Sequence, residues 1–454
     1  MNKHLIHKYN IPGPRYTSYP TVPYWDENSF TVENWKETLK KSFDESNASE
    51  GISLYLHLPF CESLCTFCAC HKHITKQHSV ENDYIAALLK EWDMYLELLK
   101  EKPIIKELHI GGGTPTFFSP ENLKYILESI FSKAIIAEKP EFSIEGHPNN
   151  TTREHMRVLY DLGFRRISFG VQDYDPRVQK AINRIQPFEN VQKVTEIARE
   201  IGYDSISHDL VFGLPHQDLN AMKATIEKTK LLNPDRIAFY SYAHVPWIKG
   251  VGQRGFDEND LPTPEKKREL YEVGKEIFEE MGYVEIGMDH FALKSDSLYE
   301  SWINNSMHRN FMGYSSSKTQ VMIGLGMSAI SDSWYSFAQN VKTVKEYKEL
   351  IANGEWPVIK GHILNEEDLK IRKHILNLMC TLETSFEDES MRFFELSKTR
   401  ERLSEMESDG LLEWKDDKLI VTEAGRIFVR NICMTFDLRM LRNKPETRIF
   451  SMTV

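Results

Sequence analysis

The chain of 454 residues carries a formal net charge of −11 at pH 7 and contains 41% hydrophobic and 27% charged residues. These fractions are typical of a soluble globular protein, and the length suffices for two domains or for one barrel with appended segments. The acidic balance disfavours a nucleic-acid-binding protein, which usually presents a basic face. No apolar run approaches the roughly 20 residues that a membrane span requires, and the first ten residues lack the apolar core of a signal peptide. We therefore expect a cytoplasmic protein.

The first 48 residues are predicted to form an arm followed by a helix. Residues 1–30 are rich in proline, tyrosine and threonine and show little periodicity. Aromatic residues such as Tyr16 and Tyr19 favour an arm packed against the rest of the protein over a disordered tail, since such tails are usually poor in aromatics. Residues 31–48 have the apolar spacing of a helix.

From residue 52 onward, strand-like and helix-like segments alternate. The predicted strands are 53–58, 106–110, 141–145, 166–171, 205–212, 236–242 and a less regular 283–288. The predicted helices between them are 81–100, 120–133, 152–162, 189–201, 219–231 and 265–281. This alternation indicates an α/β fold with parallel strands joined by right-handed crossovers. A partial or complete barrel of the (β/α)8 class and a doubly wound open sheet both fit.

The carboxyl-terminal part is predicted to be mainly helical, with helices at 366–380 and 386–408. Two short strands then flank the acidic turn at 413–417, and another helix follows. This order resembles a winged helix, although the acidic turn disfavours DNA binding, so we interpret residues 363–454 as a lid or brace for the barrel. Cys380 and Cys433 lie in apolar helical segments and are expected in the core.

Polar residues follow the predicted strands at the point where each strand ends. In chain order these residues are the cysteines of residues 61–70, the glycines 111–113, Glu145, Gln172 with Asp173, Asp209, Tyr240 with Tyr242, and Asp289 with His290. Any one of them could simply cap its strand. Because parallel strands end on one face, where such barrels keep their active sites, their convergence predicts a functional site there.

Four of the six cysteines lie within ten positions, in the loop after the first predicted strand. Cys61, Cys65 and Cys68 have the spacing C-x3-C-x2-C, and Cys70 follows two residues later. Soft thiolates suit iron–sulfur clusters, and three of them around one cluster would leave one iron open for a ligand. Zinc would require a second separated pair, which the sequence lacks, and disulfides would require an oxidising compartment. The histidines at 57, 71 and 73 are expected to be hydrogen-bonding neighbours rather than iron ligands.

This cysteine loop resembles that of the radical S-adenosylmethionine (SAM) enzymes. Its longer form SLYLHLPFCESLCTFCAC resembles the oxygen-independent coproporphyrinogen III dehydrogenases, also called oxidases. Further motifs of that family are PGPRYTSYP (12–20), GGGTPT (111–116), GVQD (170–173), NR (183–184), DLVFGLP (209–215), GMDHF (287–291), HRNF-x-GY (308–314) and RNICMTFD (430–437). They run in order through nearly the whole chain. The resemblance implies a partial (β/α)6-type barrel at 49–300, completed by residues 301–362 near the substrate.

The resemblance also implies the cofactors and the residues that hold them. The cofactors would be a [4Fe-4S] cluster on Cys61, Cys65 and Cys68, and SAM, with two molecules per chain. The implied cofactor-binding residues are Tyr55, Phe67, Cys70, Gly112, Gly113, Thr114, Glu145, Gln172, Arg184, Asp209, Tyr242, Ala243, Met312 and Ile330. Tyr55 and the three ligand cysteines form the implied catalytic set. Cys70 is expected beside the cofactor rather than on the cluster, because a fourth thiolate would close the open iron.

Several of the implied residues carry side chains that can bind the charged groups and hydroxyls of SAM. Glu145 and Asp209 can pair with the SAM ammonium or accept from ribose hydroxyls, and Arg184 can bind its carboxylate through two hydrogen bonds. The loop at 111–113 is not a Walker loop, because no Gly-Lys-Ser/Thr follows; a tight turn alone is the other reading. Met312 departs from the family, which commonly has glutamine there, and a methionine cannot replace the amide hydrogen bonds.

The implied reaction is the oxidative decarboxylation of two propionates of coproporphyrinogen III to vinyl groups, which gives protoporphyrinogen IX. A flavodoxin- or ferredoxin-like donor, an unidentified electron acceptor and a monomeric state are expected with it. Arg15, His308 and Arg309 are candidates for binding the substrate carboxylates. Two alternatives stay open: a haem-binding chaperone, whose family typically lacks the C-x-C extension and PGPRYTSYP, and an enzyme that opens or methylates haem, which only a substrate test separates.

Overall fold

The computed structural model describes residues 3–26, 28–247 and 252–453. Its helices are α1 (Lys3–Tyr9), α2 (Val32–Glu50), α3 (Val80–Leu99), α4 (Pro120–Phe131), α5 (Arg153–Asp161), α6 (Pro176–Ala181), α7 (Phe188–Ile201), α8 (Leu219–Leu232), α9 (Pro264–Glu280), α10 (Ser297–Ile303), α11 (Val344–Ala352), α12 (Glu366–Thr381), α13 (Leu396–Ser408), α14 (Val429–Met434) and α15 (Leu438–Arg442). Its strands are β1 (Ile52–Leu58), β2 (Phe60–Cys61), β3 (His73–Ile74), β4 (Ile104–Gly112), β5 (Ile135–Gly146), β6 (Arg166–Gln172), β7 (Ser205–Phe212), β8 (Arg236–Ser241), β9 (Val284–Ile286), β10 (His290–Ala292), β11 (His308–Asn310), β12 (Gly313–Ser315), β13 (Val321–Leu325), β14 (Ile330–Ser333), β15 (Ser336–Asn340), β16 (Val358–Ile363), β17 (Glu383–Ser385), β18 (Leu412–Lys415) and β19 (Lys418–Val421).

One large sheet organises the molecule. Its strand order is β16-β15-β14-β13-β1-β4-β5-β6-β7-β8-β10-β9, so within the described residues the sheet keeps two edges and does not close. β1 and β4 to β8 pair in parallel, each with the next. These six strands and the helices between them confirm the predicted α/β partial barrel. The carboxyl ends of these strands lie at one edge of the sheet. The polar residues predicted to follow each strand therefore lie at this edge.

Local sequence explains why these elements begin where they do. The hydroxyl of Thr31 accepts from the main chain of α2, and the carboxylate of Asp218 does the same for α8. Proline occupies the first turn of α4 and α9, where its missing N–H costs nothing. β1 is buried along its whole length, as expected for a central strand covered on both faces.

Two predictions differ from the structure. A strand does form within 283–288, as β9, but it is not a seventh parallel strand: β9 pairs antiparallel with β10, and β10 pairs antiparallel with β8. Residues 287–289 between β9 and β10 are too few for a crossover, so they form a hairpin. The helix predicted at 386–408 begins only at Leu396, because Phe386 stacks on His374 and the side chain of Asp388 caps a separate short turn.

The arm is packed against the rest of the protein, as predicted, and it also contains α1. Tyr9, Tyr16 and Tyr19 are buried in the hydrophobic core of the carboxyl-terminal part. The Tyr16 hydroxyl donates to Asp437 Oδ2 at 3.1 Å. Arg15 Nη2 of the arm donates to Ser241 O at the end of β8 at 2.8 Å, so the arm joins the carboxyl-terminal part to the barrel.

The carboxyl-terminal part has a winged-helix-like arrangement in which α12 and α13 accompany a small sheet of order β17-β19-β18. It contacts the barrel directly: Arg426 Nη2 donates to Glu285 O at 2.9 Å, and the Tyr314 hydroxyl donates to Met379 O at 3.0 Å. Among the described residues, no helix is both long and apolar enough to cross a membrane.

Candidate active site

A cavity of about 450 Å³ opens at the carboxyl edge of the parallel strands. It is lined by most of the residues that the sequence predicted for the site: Cys61, Cys65, Phe67, Cys68, Cys70, Gly112, Gly113, Thr114, Glu145, Gln172, Arg184 and Asp209. They come from the ends of five strands and from the residues that follow them. The fold therefore brings together groups that are distant in the sequence.

The cysteine loop is closed at its base. β2 and β3 pair in parallel, so that Phe60 lies opposite His73, and the loop between them is fixed to the end of α6 by Thr66 N, which donates to Ile182 O at 2.9 Å. The Cys61, Cys65 and Cys68 side chains are half-buried, whereas Cys70 is exposed. The Cys70 thiol hydrogen-bonds to Cys68 and lowers the pKa of that thiol to about 6.

The histidines around the loop make structural hydrogen bonds. His57 Nε2 lies 2.9 Å from the main-chain oxygen of His71, and its Nδ1 lies 3.1 Å from the Tyr55 hydroxyl. Burial lowers the pKa of His57 to about 4, so the ring is neutral at pH 7. His57 is therefore a hydrogen-bonding neighbour of the cysteine loop.

The glycine loop lies directly against the cysteine loop. Gly113 N donates to Leu58 O at 2.9 Å, and Thr114 N donates to Phe60 O at 2.9 Å. A Cβ on Gly113 would lie 2.5 Å from Pro59 O, which is closer than two such atoms can approach. Thr114 Oγ1 donates to Cys61 Sγ at 3.4 Å. Glycine is therefore required here by close backbone approach, and the loop presents its main chain beside the thiols.

The polar groups opposite the thiols are only partly satisfied by the protein. Arg184 Nη2 donates to Gly170 O at 2.5 Å and Nη1 lies 3.8 Å from Cys65 Sγ, while Nε is buried without a partner among the described residues. The side chain of Glu145 is 46% exposed, and its Oε1 is 3.4 Å from His109 Nε2. These groups can therefore bind a ligand without first breaking strong internal pairs.

Asp209 is a half-buried carboxylate of the same set. It accepts from Ser168 Oγ at 2.7 Å. Burial, with a smaller contribution from the charge of Glu145, raises the pKa of Asp209 to about 7. A cationic ligand near Asp209 would offset the cost of its ionisation.

A deeper cavity of about 100 Å³ continues into the barrel and shares Glu145 and Asp209 with the first. Its other walls include Tyr240, His290 and Met312. Sequence reasoning missed several polar residues that also line it: His109, Ser143, Ser168, Ser207 and Asn310. The period of two along the strands could have found the first four, since alternate residues of a strand face the same side.

The remaining predicted site residues lie outside the large cavity. Tyr55 is buried and packs edge-on against Phe311 at 4.8 Å between ring centroids, in a cluster that includes Met312. Tyr242 packs with Phe67. Ala243 O accepts from Gln253 Nε2 at 2.8 Å. Ile330 packs against a separate cluster formed by Trp25, Phe337 and Leu364. For these residues, as for those that line the large cavity, the assignment to cofactor binding stays a prediction.

The three candidates for substrate carboxylates differ in charge. Burial lowers the pKa of His308 to about 3, so this side chain supplies no positive charge at pH 7. Arg309 is buried, donates to Arg15 O at 3.3 Å and has Nε and Nη1 without partners among the described residues. Arg15 donates to Ser241 O at 2.8 Å and lies 3.9 Å from Asp289.

Comparisons with known proteins agree with this architecture. A family model described as the radical SAM superfamily matches residues 55–229. The oxygen-independent coproporphyrinogen III oxidase of Helicobacter pylori is 39% identical over 95% of this chain and 95% of its own length. The protein of the same description from Synechocystis is 36% identical over 99% of this chain and 97% of its own length. The solved structure of the coproporphyrinogen III oxidase of Escherichia coli, described as a radical SAM enzyme, superposes with a TM-score of 0.87 at 32% identity, covering 93% of this chain and 97% of that one.

Proposed function

Because the chain belongs to the radical SAM superfamily and, within it, to the oxygen-independent coproporphyrinogen III oxidases, we propose that it decarboxylates two propionates of coproporphyrinogen III to vinyl groups. The product is protoporphyrinogen IX, a precursor in haem biosynthesis. Each propionate loses one hydrogen atom, one CO₂ and one electron. The observation that carries the proposal is the convergence of four thiols, a glycine loop and four polar residues on one cavity of about 450 Å³.

The donor set of the cavity fits a [4Fe-4S] cluster held by Cys61, Cys65 and Cys68. Thiolates are the ligands that such clusters prefer. Cys70 is exposed and hydrogen-bonded to Cys68, so we assign it to positioning its neighbour.

The remaining lining fits SAM. Arg184 can offer the ligand carboxylate the edge of its guanidinium that faces the thiols, where Nη1 lies 3.8 Å from Cys65 Sγ. Glu145 and Asp209 suit the ammonium and ribose hydroxyls, and the Gly113 loop offers main-chain groups beside the cluster. A second SAM would lie toward the deeper cavity at Met312, where the methionine can offer packing but no amide hydrogen bond. When bound, the cluster and SAM supply the electron and the radical that takes up the substrate hydrogen.

The chain's own residues bind and orient the cofactors and the substrate, and they exclude water. The arm and the carboxyl-terminal part cover the barrel, and Arg184 and Asp209 hold the carboxylate and ammonium groups of SAM by charge. We further propose a monomer in the cytoplasm that receives electrons from a flavodoxin- or ferredoxin-like donor, with the final acceptor unidentified. The proposed domain divisions are the arm and helix at 1–48, the barrel at 49–300, the segment that completes it at 301–362 and the carboxyl-terminal domain at 363–454. All six cysteines are free in the structure, as a reducing compartment requires.

The proposal is tested on protein purified and reconstituted without oxygen. It is incubated with coproporphyrinogen III, SAM, a strong reductant and an electron acceptor, and the products are separated by chromatography. We expect protoporphyrin and 5′-deoxyadenosine, both lost in Cys65→Ala and both retained in Cys380→Ala, which alters a cysteine of the core. SAM cleavage without a vinyl product would indicate another tetrapyrrole substrate. Stoichiometric haem binding with neither product would leave the chaperone reading.

A further inference from the structure

Lys72 folds back over the cysteine loop. It directly precedes β3, and its side chain is half-buried. Its Nζ donates to Cys68 O at 3.3 Å and to Cys70 O at 3.1 Å. A positive charge is therefore held against the loop that carries the three proposed cluster ligands.

Gly252 closes the other side of this ammonium group. Gly252 N donates to Cys68 O at 3.1 Å, which is the same oxygen that accepts from Lys72. A Cβ on Gly252 would lie 3.3 Å from Lys72 Nζ and 2.8 Å from a methyl carbon of Leu64. The ammonium is thus enclosed between the loop and residue 252. This seat fixes the position of a charge that the flexible stem of a lysine would otherwise leave mobile.

The charge of Lys72 acts on two of the three proposed ligands. Burial raises the pKa of the Cys61 thiol to about 11, and the Thr114 hydroxyl and the Lys72 charge oppose this rise. The Cys70 thiol contributes most to lowering the pKa of Cys68 to about 6, and the charge of Lys72 adds to that effect. A positive charge that favours thiolates at this position also favours any further negative charge there.

Lys72 differs from Arg184, which is also a cation near the thiols. Arg184 lines the large cavity, where it is proposed to pair with the SAM carboxylate, and that pairing would cancel its charge. Lys72 lies outside the described lining of that cavity. Its hydrogen bonds go to main-chain oxygens, which orient an ammonium group without cancelling its charge. The charge of Lys72 is therefore retained when SAM is bound.

We propose that Lys72 raises the reduction potential of the cluster by holding a fixed positive charge beside it. The inference rests on the proposed function, which places the cluster on Cys61, Cys65 and Cys68. The cluster gains one negative charge when it accepts one electron from the flavodoxin- or ferredoxin-like donor, and Lys72 stabilises that added charge. Net charge and hydrogen bonds around the sulfurs set the potentials of such clusters. Lys72 thereby eases the reduction of the cluster by its donor.

Two substitutions separate the charge of Lys72 from its place in the loop. Lys72→Gln removes the charge but keeps a group that can donate to a main-chain oxygen, whereas Lys72→Arg keeps the charge. Lys106→Gln is the matched control. Lys106 Nζ also donates to a main-chain oxygen, that of Lys139 at 2.8 Å, but it lies near the amino end of β4, away from the cysteine loop.

Each reconstituted protein is titrated without oxygen with titanium(III) citrate in the presence of redox dyes, and the reduced cluster is followed by electron paramagnetic resonance. In Lys72→Gln we expect the ratio of reduced to oxidised cluster at a given potential to fall about tenfold. This lowers the midpoint potential by about 59 mV for a one-electron couple. Lys72→Arg and Lys106→Gln are expected to stay near the wild type. The titration follows only molecules that carry a cluster, so partial loading does not alter the midpoint.

The outcomes separate this inference from the proposed function. If the wild type makes protoporphyrin and Lys72→Gln has the wild-type midpoint, the inference is refuted and the function stands. An equal shift in Lys72→Arg would show that the geometry of the loop sets the potential, and complete loss of the cluster in Lys72→Gln would assign Lys72 to cluster assembly; either result overturns the inference. If Lys72→Gln lowers the potential as expected but the wild type forms no vinyl product, the inference stands and the function fails.

Discussion

Arg184 provides the sharpest test of the SAM assignment, through the substitution Arg184→Lys. In the structure, one guanidinium nitrogen donates to Gly170 O, another lies 3.8 Å from Cys65 Sγ, and Nε has no partner among the described residues. Lysine keeps the charge but replaces this rigid fork with a single ammonium on a flexible stem. It cannot hold Gly170 O and bind a carboxylate through two bonds at the same time.

The expected loss is that of one charge-assisted hydrogen bond to the ligand. Such a bond contributes about 1.5–3 kcal/mol, which corresponds to a roughly 10- to 100-fold increase in the SAM dissociation constant. The substitution weakens SAM binding rather than the chemical step. The rate of 5′-deoxyadenosine formation at saturating SAM is therefore expected to change less than the affinity for SAM.

Equilibrium dialysis of reconstituted protein with labelled SAM measures the affinity, and iron and sulfide content verifies the cluster. Arg177→Lys is the control: Arg177 lies on nearby α6 and pairs on the surface with Asp175 and Asp218. An Arg184→Lys variant that binds SAM as tightly as the wild type would refute the assignment of Arg184 to the SAM carboxylate.

Three further predictions concern stability, stoichiometry and the arm. Burial raises the pKa of Glu91 to about 7, and the Tyr347 hydroxyl, which donates to Glu91 Oε2 at 2.7 Å, opposes this rise. Since the folded-state pKa exceeds the ordinary value of 4.5, stability that depends on the protonated form is lost as the pH rises through about 7. Tyr347→Phe is therefore expected to lower the free energy of unfolding more at pH 8.5 than at pH 5.5, by up to about 2 kcal/mol. At roughly 2.1 cal/mol/K per residue, this loss lowers the melting temperature by about 2 °C. Equal losses at both pH values would contradict this account. Met312→Ala is expected to weaken one of two SAM sites while leaving the tighter one unchanged, as measured by dialysis, and a wild-type stoichiometry of one would contradict the second site. Arg430→Gln is expected to speed proteolysis within residues 10–20, because it removes the donors that hold the arm; unchanged cleavage would show that the buried tyrosines suffice.

Much of the barrel could be predicted because its signals are local. The alternation of strands and helices, with a polar residue after each strand, is enough to place Glu145, Gln172 and Asp209 on one face. The spacing of the cysteines likewise indicates a cluster without knowledge of the pairing of β2 and β3. These features depend on periodicity and on the order of elements along the chain.

The rest depends on contacts that are distant in sequence. β13 pairs with β1 although β2 to β12 all lie between them in the sequence. β10 lies between β8 and β9. No local pattern specifies either arrangement. The charge of His308 could not be predicted, because its burial lowers its pKa to about 3.

We expect this chain to remove hydrogen from substrate propionates by radical chemistry at the cavity of Cys61, Cys65 and Cys68. The most direct measurement uses coproporphyrinogen III deuterated at the β-carbons of its propionates, incubated with reconstituted protein, SAM and reductant without oxygen, followed by mass spectrometry of the 5′-deoxyadenosine. We expect deuterium in the 5′-deoxyadenosine, together with a vinyl product. 5′-Deoxyadenosine free of deuterium, formed while the propionates remain intact, would contradict the account.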